Sequence, residues 1–319
     1  MKRSLRKSIR GSVSVVVAGF AALAVAEPVP GVFQVQAPAG QIATVQGVAN
    51  HGLMATGGLF VRATSESRTT YRWAPPSNLT IYNGPTHPNY SAALAMTADG
   101  SFIAGLQFDG RDGNGAAVNL QAFRAGPGGE FQALGRLRPS DQDSQALSIS
   151  NDGGVVVGKS GDLNETSVRA FIWTPSTGME EIPGLRPNAV ISQANDVSGN
   201  GEYVVGYSKI GNVFAPEEAW IWTRETGHTP LPTLSALPQM ASAIPRGVSA
   251  DGRYVAGISL ADDFSSRAVR WVDGVIETLG SVPGYNIQSY AYGISDDGGT
   301  IFGVATGAAS DTGFIWTEA

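Results

Sequence analysis

The chain has no cysteine in its 319 residues. That excludes disulfides, thiolate metal ligands and a lipid-modified cysteine in any redox compartment. Histidine is scarce too: His51, His87 and His228 are the three present. They form no His-Glu-x-x-His pair, so the spacing that holds a catalytic zinc is missing. His51 and His228 read as turn residues, and His87 falls in a loop between repeats. Charged residues make up 15% of the chain, with 21 basic against 27 acidic. Lacking a basic cluster, the sequence argues against a nucleic-acid partner, because phosphate binding needs grouped cations. Long apolar runs are missing except for one, Val13 to Val25.

That run follows a basic head of Lys2, Arg3, Arg6, Lys7 and Arg10 and ends in Ala24-Val25-Ala26. The order is that of a Sec-type signal peptide, and the run falls short of the roughly twenty residues that span a bilayer. It predicts a leader over 1–26, cleavage after Ala26, and a secreted or periplasmic product with no membrane span. The leader removes five basic residues and no acidic ones, leaving a formal charge of −11 on residues 27–319. No linker or low-complexity stretch divides that segment, so it reads as one domain and as a monomer.

Glycine is plentiful, and its placement is periodic. Pairs five residues apart stand at Gly52/Gly57, Gly100/Gly105, Gly153/Gly158, Gly201/Gly206, Gly252/Gly257 and Gly298/Gly303. A repeat near fifty residues is the mark of a repeat architecture. Each first glycine ends a tetrad such as Ser150-Asn151-Asp152-Gly153 or Ser249-Ala250-Asp251-Gly252. Asp-Gly between apolar runs signals a hairpin, here between strands a and b of each repeat. A third strand, c, carries aromatics at alternate positions: Tyr71/Trp73, Phe171/Trp173, Trp220/Trp222 and Phe314/Trp316, with Val269/Trp271 and Phe123/Ala125 as variants. A fourth strand, d, follows a second turn. Four short strands per unit is one propeller blade.

Strand a carries small residues. Five positions before the first glycine stand Gly47, Ala95, Ser148, Asp196, Gly247 and Gly293. Two further back are Val45, Ala93, Ala146, Ala194, Pro245 and Ala291, then Ala43, Ser91, Ser144, Ser192, Ala243 and Ser289. Inner strands converging on an axis leave room only for small side chains, and the rings of strand c fill the wider part. The taper predicts an all-β, six-bladed propeller rather than a solenoid or sandwich. The last repeat ends after strand c, and the segment 31–36 is expected to supply its outer strand, so that both termini close one sheet.

The repeat resembles the bacterial extracellular HAF repeat, named for a His-Ala-Phe tripeptide. Here the tripeptide stands as Arg169-Ala170-Phe171, Gln121-Ala122-Phe123, Glu218-Ala219-Trp220, Arg267-Ala268-Val269 and Thr312-Gly313-Phe314. Its naming histidine is absent from every copy, so no role of that histidine carries over. The resemblance implies an exported protein of repeated β units and almost nothing about activity.

Two faces hold candidate binding residues. Hairpin turns share one rim of such a ring, so the variable b–c and d–a loops share the other, where ligands bind on rigid scaffolds. That loop face carries His87, Tyr90, Asp109, Arg111, Asp112, Asp141, Asp143, Glu217, Asp262, Asp263, Phe264 and Tyr285. The run 109–115 looks like a calcium loop but places Phe123 where an EF-hand needs glutamate. Oxygen-rich loops such as Asp141-Gln142-Asp143 leave a different calcium geometry open; no resident cofactor is predicted. On strand a, Gln193, Asn195, Asp196, Arg246, Tyr290 and Tyr292 would rim a central channel. Asp196 and Arg246 hold near-equivalent places in successive repeats and read first as a buried ion pair, then as a ligand contact. The functional expectation is a non-enzymatic binding or surface protein for carbohydrate, envelope polymer or a protein partner. The alternatives are a glycan hydrolase or lyase using Asp196, Arg246, Tyr292 and His87, and a purely structural module.

Overall fold

The computed structural model describes residues 41–48, 55–61, 68–74, 78–82, 91–111, 117–162, 167–211 and 214–318. Among these the sole helix is the 3-10 turn Pro238–Met240, and no helix is long and apolar enough to cross a membrane. The rest is antiparallel meander. The first unit holds β1–β4 (Gln41–Val48, Ala55–Val61, Arg68–Ala74, Asn78–Tyr82). The second holds β5–β8 (Ser91–Met96, Ile103–Arg111, Ala117–Ala125, Phe131–Gly135). The third and fourth are β9–β12 (Asp143–Ile149, Val156–Gly161, Val168–Thr174, Gly178–Ile182) and β13–β16 (Ala189–Val197, Val204–Ile210, Glu218–Thr223, Gly227–Pro230). One parallel bridge, Val168 to Ile191, joins those two into a single sheet. The fifth is β17–β20 (Ala243–Val248, Tyr254–Leu260, Ser266–Val272, Val275–Thr278). The last is three-stranded, β21–β23 (Gln288–Ile294, Thr300–Thr306, Asp311–Thr317). The segment expected to complete it, residues 31–36, lies outside the described residues.

The hairpin turn repeats atom for atom. In the third unit Ser150 Oγ donates to Asp152 Oδ1 (2.6 Å), which also accepts from Gly154 N (2.8 Å), while Val155 N donates to Ser150 Oγ (2.9 Å). The same set recurs at 97–102, 198–203, 249–254 and 295–300. Gly153 closes its turn at φ 69°. A side chain there would also strike Phe102 of the preceding unit. The residue two past each turn glycine thus covers the next unit's glycine: Val155 on Gly201, Tyr203 on Gly252, Tyr254 on Gly298.

Cores lie between successive units. Ala104 and Ala122 pack with Ala146, Val156, Phe171 and Trp173; Ala170 and Ile182 pack with Ala194, Val204 and Trp220; Ala219 packs with Val255 and Trp271. Of the alternating aromatics of strand c, Tyr71, Phe123, Phe171, Trp220 and Trp271 are fully buried, whereas Trp222, Phe314 and Trp316 are half-buried. Phe171 and Trp220 sit opposite the second glycine of their repeats, Gly158 and Gly206, whereas Trp271 is opposite Val255.

Strand a differs from its expected form. Ahead of the turn, one residue in each copy has no partner on strand b: Gln46, Leu94, Leu147, Asn195, Arg246 and Tyr292. A bulge reverses the alternation beyond it, so the three small positions do not share one face. Ala93 packs with Ile103 and Phe123, whereas Ala95 reaches the next core beside Ala146 and Phe171. The outermost small position also has a polar task. Ser91, Ser144, Ser192 and Ser289 accept hydrogen bonds from Thr70 N, Ala122 N, Ala170 N and Ala268 N (2.9–3.1 Å) on strand c of the preceding unit. These buried hydroxyls bind unit to unit, at the third-to-fourth joint beside the Val168–Ile191 bridge.

Two substitutions test this account by urea denaturation. Gly206→Ala would push a methyl into the Gln193 carbonyl and the Trp220 ring, and should cost about 3 kcal/mol. Ser192→Ala leaves the buried Ala170 N–H unpaired and should cost about 1–3 kcal/mol. A Ser192→Ala protein as stable as the parent would show that the hydroxyl does not hold the units together.

Candidate functional site

The b–c connection of the fifth unit is built around Asp263. Its carboxylate accepts from Ser265 N (2.9 Å) and the Ser265 hydroxyl and meets Arg267 Nη2 at 3.0 Å. Those serine bonds, helped by Arg267, hold its pKa below the usual range. Phe264 takes φ 63° at the tip and is 73% exposed, a costly placement for a large apolar ring. Arg267 turns back to donate to the carbonyls of Asn286 and Ile287 (both 3.3 Å), and Ser235 Oγ fixes Asp262 at 2.6 Å. Between these parts and the strand leading into the last unit lies a cleft of about 640 Å³, lined by Asp262, Arg267, Tyr285, Asn286 and Gln288 among others. Two expected loop-face residues, Asp262 and Tyr285, therefore meet in one cleft; Asp263 reaches it through Arg267, and Phe264 does not line it. Arg267, Asn286 and Gln288 were not singled out in the sequence. Arg267 was visible there only as the first residue of a tripeptide.

Other expected residues serve the scaffold. Asp143 is buried, accepts from Leu120 N at 2.7 Å, and burial raises its pKa. Asp141 accepts from Ser160 Oγ (2.7 Å) and Arg138 N (3.2 Å). Glu217 pairs with Lys209 Nζ at 2.6 Å and accepts from the Ser242 hydroxyl. Asp109 and Arg111 lie at the end of β6. His87, Tyr90 and Asp112 fall outside the described residues. His228 packs edge-on against Trp220 (4.8 Å) with Nε2 2.6 Å from the Pro183 carbonyl. It belongs to β16 and its packing more than to a turn. No group of three or more histidine or acidic side chains that could hold a metal occurs among the described residues.

The a–b hairpin turns converge on one rim. Asn151 N donates to Gly199 O (2.8 Å), Asn151 Nδ2 to Asp296 Oδ2 (3.0 Å), and Ala250 N to Asp296 O (2.8 Å). Turns of the third, fourth, fifth and last units meet there. Just beneath, Asp196 accepts from Ser148 Oγ (2.6 Å) and Val248 N (3.0 Å), tying three units together. Its carboxylate is enclosed although the residue keeps some exposure, and burial pushes its pKa up to about 6. The expected Asp196–Arg246 ion pair does not form. The two do not hold equivalent places: Arg246 is the extra residue of its bulge, as Asn195 is in the preceding unit, and Asp196 stands one residue past that bulge and is paired with Val205. Asn195 holds Pro245 O at 2.6 Å and receives Gln193 Nε2 at 2.6 Å; Tyr290 and Tyr292 stack at 6.5 Å.

No family model matches the sequence, and no curated protein matches it. Solved structures do. A protein assigned as TolB from Agrobacterium tumefaciens aligns at 14% identity and TM-score 0.50, covering 86% of this chain and 89% of its own. TolB from Acinetobacter baumannii aligns at 12% identity and TM-score 0.45, covering 72% of this chain. A prolyl endopeptidase aligns at 12% identity and TM-score 0.57 over 85% of this chain. The chain spans 52% of the Acinetobacter protein's length and 42% of the endopeptidase's. At such identities the likeness is one of fold, the β-propeller, and of fold alone.

Asp196 makes stability depend on pH. Its pKa rises from 3.8 unfolded to about 6 folded, so the native chain binds a proton that the unfolded chain releases. The stability held by the protonated form is full below the lower value and lost as pH climbs through the upper one. Asp196→Asn can keep both bonds, its amide donating to Ser148 and its carbonyl accepting from Val248. Urea midpoints at about pH 4 and about pH 7.5 should show the parent losing up to about 3 kcal/mol relative to the variant. Parallel behaviour of the two proteins would place the proton elsewhere.

Proposed function

We propose that the chain is an exported, non-enzymatic binding module that holds carbohydrate of the cell envelope in the cleft beside Tyr285. It acts as a monomer. The observation that carries this reading is the lining of that cleft. A tyrosine ring, two carboxamides, an arginine and an aspartate surround a volume of about 640 Å³. Sugars present C–H faces to rings and hydroxyl pairs to amides and carboxylates, and such a lining serves both. Arg267 is held by three acceptors on two loops, so the wall is formed before any ligand arrives. Preformed polar walls favour binding by lowering the ordering cost.

In this reading six HAF-type units close into one propeller, with residues 31–36 as the outer strand of the last sheet and residues 1–26 as a cleaved leader. The meeting of Asn151 with Asp296, 145 residues apart, supports a chain that curves round an axis. The last sheet has three strands among the described residues, and the exposed Phe302 and Ile315 on it support a closing partner.

Two experiments test these statements. Calorimetric titration of residues 27–319 with peptidoglycan fragments and neutral polysaccharides should show saturable heat that Tyr285→Ala weakens by about tenfold or more. Release of reducing ends or unsaturated products in the same mixtures would overturn the non-enzymatic reading in favour of a hydrolase or lyase. Deleting residues 27–36 should lower the melting temperature severely; an unchanged value would remove the closing strand.

A further inference from the structure

Arg246 is a cation without an anion among the described residues. It is the extra residue of the β17 bulge, opposite no residue of β18. Its Nε is buried and has no hydrogen-bond partner, and no carboxylate among the described residues lies within ion-pair distance of it. A buried guanidinium N–H left unpaired costs stability, so an acceptor supplied from outside would be bound strongly. The candidate internal partner, Asp196, is already committed to Ser148 and Val248.

Bulges on the neighbouring strands supply the rest of a site. Tyr292 is the extra residue of the next unit and is 41% exposed. Its ring stacks on Tyr290 with planes 16° apart, which makes a two-ring plate. Gly247, which follows Arg246, lies against the backbone of Gly293 and Ile294, which follow Tyr292, so the two bulges are side by side. Burial raises the Tyr292 pKa, and the positive charge of Arg246 opposes that rise. On the preceding strand Asn195 is pinned by Gln193 and Pro245 and walls off the other side. Amide, guanidinium and phenol thus follow one another around the inner strands. Asp311 is the carboxylate whose charge reaches Tyr292. With the acidic balance of the whole chain, it disfavours a dianion such as phosphate more than a single carboxylate.

We propose that Arg246, Tyr290 and Tyr292 form a second subsite, on the inner strands, for the carboxylate of a uronic acid in an anionic polysaccharide. The planar guanidinium fork matches a carboxylate in two parallel bonds. The exposed Tyr292 ring offers a flat apolar face to the pyranose beside that carboxylate. The proposal deepens the carbohydrate reading and rests on it for the ligand class; its three residues do not line the Tyr285 cleft, and the two sites touch where the Tyr290 hydroxyl donates to Gln288.

Calorimetric titration with a short oligogalacturonate and with its neutral methyl ester tests it. The acid should bind more tightly than the ester. Arg246→Gln should weaken the acid by about thirtyfold and leave the ester unchanged, and Arg246→Lys should recover part of the loss. Tyr292→Ala should weaken both ligands. Should Arg246→Gln fold poorly, the ester comparison on the parent protein decides alone. Equal affinity for acid and ester, an unaffected Arg246→Gln, or no binding of the oligogalacturonate would each overturn the subsite. Loss of oligogalacturonate binding in Tyr285→Ala but not in Arg246→Gln would leave the cleft standing and remove this site.

Discussion

From the second unit to the last, strand a runs so close to strand b that a side chain on b would strike its carbonyl. Gly105, Gly158, Gly206, Gly257 and Gly303 mark these approaches, facing the carbonyls of Ala92, Gln145, Gln193, Ile244 and Tyr290. Much else depends on this contact. The missing side chain leaves a hollow that the ring of strand c fills, as Trp220 does over Gly206 and Phe314 over Gly303. Beside it strand a carries its extra residue, since a bulged strand bends and twists more than a straight one. The bend brings the serines of strand a within reach of the preceding unit.

Polar bonding between units follows from that geometry. Apart from the single Val168–Ile191 bridge, the sheets of successive units share no ladder among the described residues, and packing alone is indifferent to small slips. A buried hydroxyl that accepts one particular backbone N–H is not. Ser144 shows the economy of the device: it accepts from Ala122 N and donates to Gly135 O at 2.6 Å, spending both functions on the unit before it. Where the serine is replaced by Ala243, Glu217 contacts take over, with Ala243 N on the Glu217 carbonyl and Ser242 on its carboxylate. The joint between fifth and last units is reinforced by Arg270, which is buried, pairs with Glu277 and Glu318, and lies over Trp316 at 4.5 Å.

A scaffold tied in this way can carry its variable parts at low risk. Bulge residues need no partner on strand b, so their identity is free: Leu94, Leu147, Asn195, Arg246 and Tyr292 occupy one structural position. The loops of the opposite rim are equally free, which is why one of them can hold Phe264 in an exposed, left-handed position. Both proposed binding surfaces are built from residues the repeat does not require.

The sequence by itself determined the period, the hairpin turns and the burial of the strand-c rings, because each rests on local chemistry. A glycine with positive φ after Asp or Asn marks a turn wherever it stands, and alternate aromatics mark a buried face. Strand boundaries follow from those marks. Tertiary structure decided the rest. A bulge adds one residue with no composition of its own, so the small-residue track looked continuous and Asp196 looked paired with Arg246. Ser192 looked merely small because its acceptor role exists only when another unit's Ala170 N–H faces it. Asp143 looked like a loop carboxylate, yet a Leu120 N–H from the preceding unit draws it inside. Arg267 became part of a cleft only when a loop some twenty residues further on presented the Asn286 and Ile287 carbonyls. Local conformation is encoded near each residue, whereas the partner of a polar side chain is encoded in the distance the fold closes.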